Sequence, residues 1–316
     1  MAAASEDHPP SDALLPRLVL LAGPTAVGKS AVALRLAERL DGEIISVDSM
    51  QVYRGMDIGT AKPSPADRGG VPHHLIDVVE VTEPFDAAQF VCLAREAVAE
   101  IQSRRRVPIL CGGTGLYFKA LLEGLGPAPP ADAVLRAALA ATPLPDLLRE
   151  LAERDPATYQ RIDRQNPRRV IRAVEVIRLS GRPFSALRAD WQLSPHPSPS
   201  SPLHYGFARS AADLHQRIEA RVDAMFREGW VAETEQLMQR GLAQNETAMQ
   251  ALGYRQIVEH LRGERSLPET IERVKARTRQ FAKRQMTWFR RQLQLSWINL
   301  EPQSSLEDVA KSIARW

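Results

Sequence analysis

The residues best suited to chemistry form one octapeptide near the start of the chain, Gly23-Pro24-Thr25-Ala26-Val27-Gly28-Lys29-Ser30. It has the pattern G-x-x-x-x-G-K-[ST], in which glycines let the backbone bend closely around a phosphate group. Successive N–H groups and the N-terminus of the following helix then face the anion. Lys29 supplies a positive charge, and the Ser30 hydroxyl can hold a Mg²⁺ ion that bridges two phosphates. The octapeptide therefore predicts a site for a diphosphate or triphosphate, without indicating which molecule carries it.

The elements around this loop predict how it is held. An apolar strand, Leu18–Ala22, precedes it, and an amphipathic helix from about Lys29 to Leu40 follows. Two further apolar strands, Glu43–Val47 and Val107–Cys111, alternate with helices, which favours an α/β fold with a parallel sheet. Ligands bind at the carboxyl ends of such strands. Three loops follow predicted strand ends and are expected to converge on one site: Gly23–Ser30, Asp48-Ser49 and Gly112–Gly115.

Length and composition limit the class of protein. A chain of 316 residues with 44% hydrophobic and 25% charged residues is typical of a soluble protein with one large or two modest domains. No apolar run approaches the ~20 residues of a membrane span, so no membrane partner is expected. The tail 1–16 lacks the basic start and apolar core of a signal peptide, which predicts a disordered tail on a cytoplasmic protein. Cys92 and Cys111 are expected to be buried free thiols.

Changes in composition predict the domain organisation. Residues 17–125 form the first part of a P-loop NTPase-like parallel-sheet core, with a helix at about 86–105 and a further strand at 73–78. Prolines near residue 127 then interrupt the chain, and helical patterns follow in a helical insertion domain, 126–200, that ends in an exposed loop, 191–202. Residues 201–316 complete the core with strands at 203–208 and 297–300 and with basic C-terminal helices.

Positive charge is concentrated in two stretches, although the net charge is only +3. Seven arginines lie between Arg161 and Arg182, opposed by two acids, and residues 273–291 contain no acid at all. A solvated helix face normally mixes both signs, and phosphate backbones are the usual partners of such arrays, so a nucleic acid is expected to bind. Three aromatic residues in the second stretch are expected to anchor the helix in the core: Phe281, Trp288 and Phe289.

Eight motifs, in order over nearly all the chain beyond the tail, resemble the bacterial tRNA dimethylallyltransferases, which are also called tRNA isopentenyltransferases. They are GPTAVGKS (Gly23–Ser30), ISVDSMQVYRGMDIGTAKP (Ile45–Pro63), PHHLID (Pro72–Asp77), GGTGLYFKALLEGL (Gly112–Leu125), NPRRVIRAVEV (Asn166–Val176), HQRIEARVDAMFREGWVAE (His215–Glu233), ALGYRQ (Ala251–Gln256) and TRQFAKRQMTWFR (Thr278–Arg290).

The resemblance implies transfer of a dimethylallyl group from dimethylallyl diphosphate to tRNA. The acceptor would be the exocyclic N6 amine of the adenosine adjacent to the anticodon, in tRNAs that read codons beginning with U, and the product would be N6-isopentenyladenosine. It also implies Mg²⁺ as cofactor and the anticodon stem-loop as binding partner. The protein is expected to be a monomer. The P-loop would hold the isoprenoid diphosphate, although such loops are commonly described as ATP-binding.

The resemblance also implies roles for individual residues. Asp48 would be the general base, although a strand-end aspartate can also cap a helix or bind Mg²⁺. Thr25, Lys29 and Ser30 would bind the diphosphate and its metal, and Arg217 or Arg221 would neutralise the leaving group. The tRNA contacts would be Asp48, Ser49, Met50, Gln51, Thr114, Arg136, Arg168, Arg169, Val170, Ile171, Arg172, Gln250, Ala251, Leu252, Gly253, Tyr254 and Arg255.

Three other functions remain open at this point. A small-molecule P-loop kinase would share the opening strand, loop and helix, but it would not need the basic stretch 273–291. An adenylate isopentenyltransferase would use the same donor with a free nucleotide as acceptor. An NTP-gated RNA-binding protein would bind RNA without modifying it. The adjacent His73 and His74 have no third ligand at metal spacing, so packing or hydrogen bonding is expected of them.

Overall fold

In the computed structural model, residues 18–189 and 203–315 are described, and they form two compact units. The first contains residues 18–122 and 203–315, and the second contains residues 123–189. The described part of the predicted insertion, 126–189, lies in the second unit. The expectations of a disordered tail at 1–16 and of an exposed loop at 191–202 fall outside the described residues.

A six-stranded parallel sheet forms the centre of the first unit, with the strand order β3-β2-β4-β1-β5-β6. The central strands consist of buried residues, as expected when helices cover both faces of a sheet. The predicted α/β class is therefore confirmed. The strands are β1 (Val19–Ala22), β2 (Gly42–Val47), β3 (His73–His74), β4 (Val107–Gly112), β5 (Leu203–Ala208) and β6 (Ser296–Asn299).

Strand β3 is much shorter than the six residues predicted for it. Leu75 and Asp77 have φ angles of 61° and 56°, in the left-handed region, where an extended strand cannot continue. The histidine pair makes hydrogen bonds, as expected: His73 Nδ1 lies 2.8 Å from the Val71 carbonyl oxygen, and His74 Nε2 lies 2.6 Å from a Glu43 carboxylate oxygen. The other five strands lie within one residue of their predicted bounds.

Thirteen α-helices lie within residues 18–189 and 203–315, and none of them is both long and apolar enough to cross a membrane. They are α1 (Lys29–Leu40), α2 (Ala87–Ser103), α3 (Gly115–Glu123), α4 (Ala133–Ala141), α5 (Leu144–Arg154), α6 (Pro156–Arg161), α7 (Pro167–Ser180), α8 (Phe184–Leu187), α9 (Ala211–Arg227), α10 (Trp230–Gln239), α11 (Tyr254–Leu261), α12 (Leu267–Gln292) and α13 (Leu306–Ile313).

Local sequence explains where the helices begin. Helix α2 starts at a capping box, in which the Asp86 carboxylate accepts the N–H of Gln89 and the Gln89 side chain accepts the N–H of Asp86.

Cys111 is buried in β4 as predicted, but the prediction of a buried Cys92 was wrong. Cys92 lies on the solvent side of α2, where its thiol donates to Glu96, because the buried stripe begins at Phe90 and resumes at Ala94.

The second unit has its own small core around a buried carboxylate. Glu175, on α7, is fully buried, and its Oε2 accepts from Arg136 and Arg172, both at 2.7 Å. Arg172 also donates to the Pro129 carbonyl oxygen. These contacts tie α4, α7 and the chain before α4 together. The apolar core consists of Leu139, Leu147, Leu151, Val170, Ala173, Val174 and Ile177.

A second buried carboxylate, Glu43, stabilises the first unit at the N-terminal end of β2. It accepts hydrogen bonds from Arg104 and Arg106 and lies against His74. Burial alone would raise the pKa of Glu43, but these hydrogen bonds hold it below the ordinary value of 4.5. A carboxyl group with a lowered folded pKa stabilises the fold when ionised. Its contribution is therefore present above about pH 4.5 and is lost as the pH falls through the folded pKa.

We expect Glu43→Gln to lower the free energy of unfolding at pH 7 by about 1.5–3 kcal/mol, because it removes charge-assisted hydrogen bonds to two arginines whose side chains still reach solvent. Urea unfolding at pH 7 and pH 4 measures this effect, and the difference between variant and wild type should shrink at pH 4. Glu100→Gln is the matched control, since Glu100 also binds Arg104 but lies in solvent. Equal losses for the two variants would contradict a special role for the buried carboxylate.

Candidate active site

The three loops that follow β1, β2 and β4 meet at the carboxyl edge of the sheet, as predicted. Strand β4 lies between the other two and pairs with both, so that Gly112 is in register with Ala22 and with Val47. Hydrogen bonds then join the loops beyond the strands. The N–H of Ser49 donates to the Thr114 hydroxyl at 3.1 Å, and the N–H of Thr114 donates to the Val47 carbonyl oxygen at 3.1 Å.

The loop Gly23–Ser30 connects β1 to α1 through two left-handed residues, Ala26 at φ 63° and Gly28 at φ 110°. Arginines hold two of its carbonyl groups from outside. Arg217, on α9, donates to the Ala26 oxygen at 2.9 Å, and Arg209, just after β5, donates to the Val27 oxygen at 2.7 Å. The loop therefore leads into the N-terminus of α1 with a fixed backbone shape, and two arginines lie beside it. A fixed loop at a helix N-terminus with positive charge nearby is suited to phosphate.

Gln285, on α12, links this loop to the loop after β4. Its Oε1 accepts the N–H of Thr25 at 3.0 Å, and its Nε2 donates to the Gly113 carbonyl oxygen at 2.9 Å. Sequence reasoning missed Gln285 and Arg209 as parts of the site. No local spacing indicates either, because their partners lie far away in the chain.

Asp48 directly follows β2 and is oriented by the turn that it begins. Its Oδ1 accepts the N–H of Met50 at 2.8 Å and that of Gln51 at 3.3 Å. The Gln51 side chain is held within the protein: its Oε1 accepts from Ser46, and its Nε2 donates to the carbonyl oxygens of Thr60 and Ala61. The carboxylate is thus held in place, while Asp48 remains only partly buried.

Two cationic side chains lie inside the site near Asp48. Burial lowers the pKa of Lys29, and the neighbouring charge of Arg221 acts in the same direction, while Asp48 opposes the shift. Burial likewise lowers the pKa of Arg221, again against the effect of Asp48. Of the two arginines considered from the sequence, Arg221 therefore lies in the Lys29–Asp48 cluster, whereas Arg217 is exposed and contacts the loop backbone.

The donors in this region fit a Mg²⁺ ion that is bound together with phosphate. The exposed Ser30 hydroxyl lies in the first turn of α1, as the loop pattern requires. Within residues 18–189 and 203–315, no group of three or more histidine, cysteine or acidic side chains is arranged to hold a metal. Mg²⁺ commonly binds proteins through one or two side chains and completes its shell with substrate phosphates and water.

An open cavity of about 530 Å³ runs along α12 close to this site. The Trp288 ring packs directly on Gly115, because a Cβ atom there would lie 2.2 Å from it. Phe289 is buried as expected, but the expectation for Phe281 was wrong: 38% of it is exposed, and Arg284 lies over its ring. The cavity lining combines aromatic, polar and cationic side chains and consists of Gln280, Lys283, Arg284, Thr287, Trp288, Arg291 and Gln292.

The other residues predicted to contact tRNA differ in exposure. In the second unit, Arg168 and Arg169 are exposed, Val170 is buried, and Arg136 and Arg172 bind Glu175. Ile171 is partly buried. In the first unit, Gln250 and Arg255 are exposed, Leu252 is partly buried, and three residues are buried: Ala251, Gly253 and Tyr254. Their roles toward tRNA stay predictions.

A G-x-x-x-x-G-K-S loop between a parallel strand and a helix, with Asp48 following the neighbouring strand, defines an α/β protein with a P-loop-like core. The family description "IPP transferase" matches residues 51–292. This chain belongs to the IPP transferase family.

Individual relatives agree with this assignment over most of their length. The chain is 47% identical over 287 residues to "tRNA dimethylallyltransferase 1" of Trichlorobacter lovleyi, covering 90% of this chain and 93% of the relative. It is 44% identical over 306 residues to the tRNA dimethylallyltransferase of Pelotomaculum thermopropionicum, with coverages of 94% and 95%.

Solved structures give the same result for the fold. The full-length tRNA isopentenylpyrophosphate transferase of Bacillus halodurans matches with a TM-score of 0.69 and 38% identity, covering 95% of this chain and 96% of that one. A eukaryotic dimethylallyltransferase acting on tRNA matches with a TM-score of 0.71 and 26% identity, covering 90% and 74%. The P-loop-like core predicted from the sequence is therefore confirmed.

We expect Lys29→Ala to weaken the binding of dimethylallyl diphosphate about 10- to 100-fold, because a hydrogen bond to a charged group contributes about 1.5–3 kcal/mol. Isothermal titration calorimetry with the unreacted donor measures the affinity. Lys311→Ala is the matched control, since Lys311 is an exposed lysine on α13 that binds Asp308. Unchanged donor affinity in Lys29→Ala would contradict the assignment of the phosphate site to this loop.

Proposed function

We propose that this protein transfers the dimethylallyl group of dimethylallyl diphosphate to the exocyclic N6 amine of the adenosine adjacent to the anticodon. The substrates would be tRNAs that read codons beginning with U, and the product N6-isopentenyladenosine. The observation that carries the proposal is that the loop Gly23–Ser30 (the phosphate loop), Asp48 and Thr114 come together at the carboxyl ends of neighbouring strands. The relatives' names supply the donor group and tRNA as the acceptor.

In the proposed reaction, the adenosine amine nitrogen attacks the allylic carbon of the donor. The bond from that carbon to the diphosphate oxygen breaks, pyrophosphate leaves, and Asp48 takes the proton from the amine. Thr25, Lys29 and Ser30 would bind the diphosphate. Lys29 and Arg221, which lie close to Asp48, support this arrangement because they can balance the charge that develops on the leaving group.

Arg217 is also proposed to act on the leaving group, since its guanidinium already contacts the phosphate loop. Mg²⁺, held by the Ser30 hydroxyl together with diphosphate oxygens, would supply further positive charge there. We propose that the loop binds the isoprenoid diphosphate in place of ATP. Arg209, which donates to the Val27 carbonyl oxygen, faces the carbonyl side of the loop and would remain bound to it while the N–H side holds the ligand.

The acceptor adenosine would have to leave its base stack to reach Asp48. The loop residues Ser49 and Thr114, which are hydrogen-bonded to each other, lie beside Asp48 and are suited to contact the base. The anticodon stem-loop would bind along the α12 cavity. Three cationic residues support this placement because they are exposed and have no acidic partner within residues 18–189 and 203–315: Lys283, Arg284 and Arg291. We further propose that the protein acts as a cytoplasmic monomer.

Mass-spectrometric nucleoside analysis tests this function directly. Unmodified tRNA is incubated with the protein, Mg²⁺ and dimethylallyl diphosphate, and parallel reactions contain ATP without isoprenoid or free AMP in place of tRNA. We expect isopentenyladenosine in the tRNA of the first reaction alone. Product on AMP only would identify an adenylate isopentenyltransferase. Consumption of ATP without any isoprenoid product would indicate a kinase or an NTP-gated RNA-binding protein.

We expect Asp48→Asn to lower the single-turnover rate about 10²- to 10⁴-fold, the range over which a general base contributes, with tRNA affinity retained. The measurement is product formation at saturating donor and tRNA, alongside tRNA binding by filter retention. Asp41→Asn is the control, because Asp41 precedes the same strand and its side chain is 78% exposed. Loss of tRNA binding together with the rate would make Asp48 a structural residue.

A further inference from the structure

One carboxylate on α10 holds a backbone turn that lies outside the phosphate loop. The Oε2 atom of Glu233 accepts the N–H groups of Asp57 at 3.1 Å and Ile58 at 2.7 Å. Its Oε1 accepts the N–H of Gly59 at 3.3 Å and the hydroxyl of Tyr254 at 2.6 Å. A carboxylate that accepts three consecutive N–H groups fixes the orientation of that turn, because each bond is charge-assisted and constrains the same three peptides.

Packing fixes the position of the same turn. The turn lies directly on the buried Trp230 ring at the start of α10, since a Cβ atom on Gly59 would fall 2.1 Å from the Trp230 Nε1. Gly253, before α11, meets the same ring, because a Cβ atom there would lie 2.0 Å from the ring edge. The turn is thus held by helices that come much later in the chain.

Hydrogen bonds and the short covalent segments between them connect this turn to Asp48. The residues that follow the turn, Thr60 and Ala61, accept the side-chain amide of Gln51 at 3.2 and 3.3 Å. The backbone N–H of Gln51 in turn donates to Asp48 Oδ1 at 3.3 Å. Movement of the Glu233-bound turn would therefore move the acceptors of Gln51 and change the peptide that orients the Asp48 carboxylate.

We propose that Glu233 is a positioning residue for the reaction and acts on Asp48 through the 57–61 turn and Gln51. The inference rests on the proposed function, since it takes Asp48 as the base. A glutamine at position 233 is the same size, but it has one acceptor oxygen and presents an NH₂ group to N–H donors. It should shift the turn without emptying the space beside Trp230, and a displacement of about 1 Å can lower a catalysed rate on the order of 10²-fold.

The test compares Glu233→Gln with Glu235→Gln, an exposed residue on the same helix with the same charge change. We expect Glu233→Gln to lower the single-turnover rate about 10- to 100-fold while donor affinity stays within about twofold of wild type. Glu235→Gln should keep the wild-type rate. A rate for Glu233→Gln equal to that of Glu235→Gln, or a parallel loss of rate and donor affinity, would overturn the proposal.

A double-mutant cycle with Gln51→Ala separates positioning from a general structural effect. If Glu233 acts through Gln51, Glu233→Gln should lower the rate less than about threefold in the Gln51→Ala background, because the two residues act as a unit. Multiplying effects would contradict the relay. If Glu233→Gln fails to fold by circular dichroism, Tyr254→Phe, which removes a single bond to Glu233, carries the same cycle. Absence of product with wild-type protein would instead refute the proposed function.

Discussion

The site depends on the pairing of three neighbouring inner strands of the sheet, whose carboxyl ends lie side by side. Strand β4 lies between β1 and β2, and its last residue, Gly112, is in register with the last residues of both neighbours, Ala22 and Val47. A Cβ atom at Gly112 would lie 2.0 Å from the Val47 carbonyl oxygen, so the approach requires glycine. This pairing brings the loop Gly23–Ser30, Asp48 and Thr114 together.

Side chains from the C-terminal half of the chain then fix the loops that the sheet brings together. Gln285 joins the loops after β1 and β4, Arg209 holds the phosphate loop, and Glu233 holds the turn behind Asp48. The Trp288 ring packed on Gly115 joins the α12 cavity to the same edge. One unit of the fold therefore places the loop that we propose to bind the diphosphate beside an exposed cationic surface suited to a polyanion.

Sequence reasoning predicted the parts of this arrangement that depend on local pattern. The loop Gly23–Ser30 could be identified because its motif is contiguous in the sequence. The carboxyl ends of the three strands could be identified because each strand is a short, uninterrupted apolar run. The length of strand β3 was overestimated, because an apolar pattern does not indicate the left-handed backbone conformation at Leu75 that ends the strand. Cys92 was assigned to the wrong face of α2 for a similar reason: an apolar neighbourhood in sequence does not specify which side of a helix a residue occupies.

Contacts between distant segments could not be predicted in this way. Glu175 is one of two acids among many arginines in the sequence, yet it is the buried partner of Arg136 and Arg172. The positive charges of Arg136 and Arg172 are therefore partly neutralised by Glu175 within the second unit. The positions of Gln285 and Glu233 likewise follow only from the packing of α12 and α10 against α9 and α11.

A crystal structure with an unreactive analogue of dimethylallyl diphosphate, in which sulfur replaces the bridging oxygen, would show directly where the donor binds. We expect the diphosphate to lie in the loop Gly23–Ser30 against Lys29, with the allylic carbon on the side of Asp48. A diphosphate bound instead in the α12 cavity, among Lys283, Arg284 and Arg291, would contradict it. In that case the convergence of the three strand ends would have to serve another ligand.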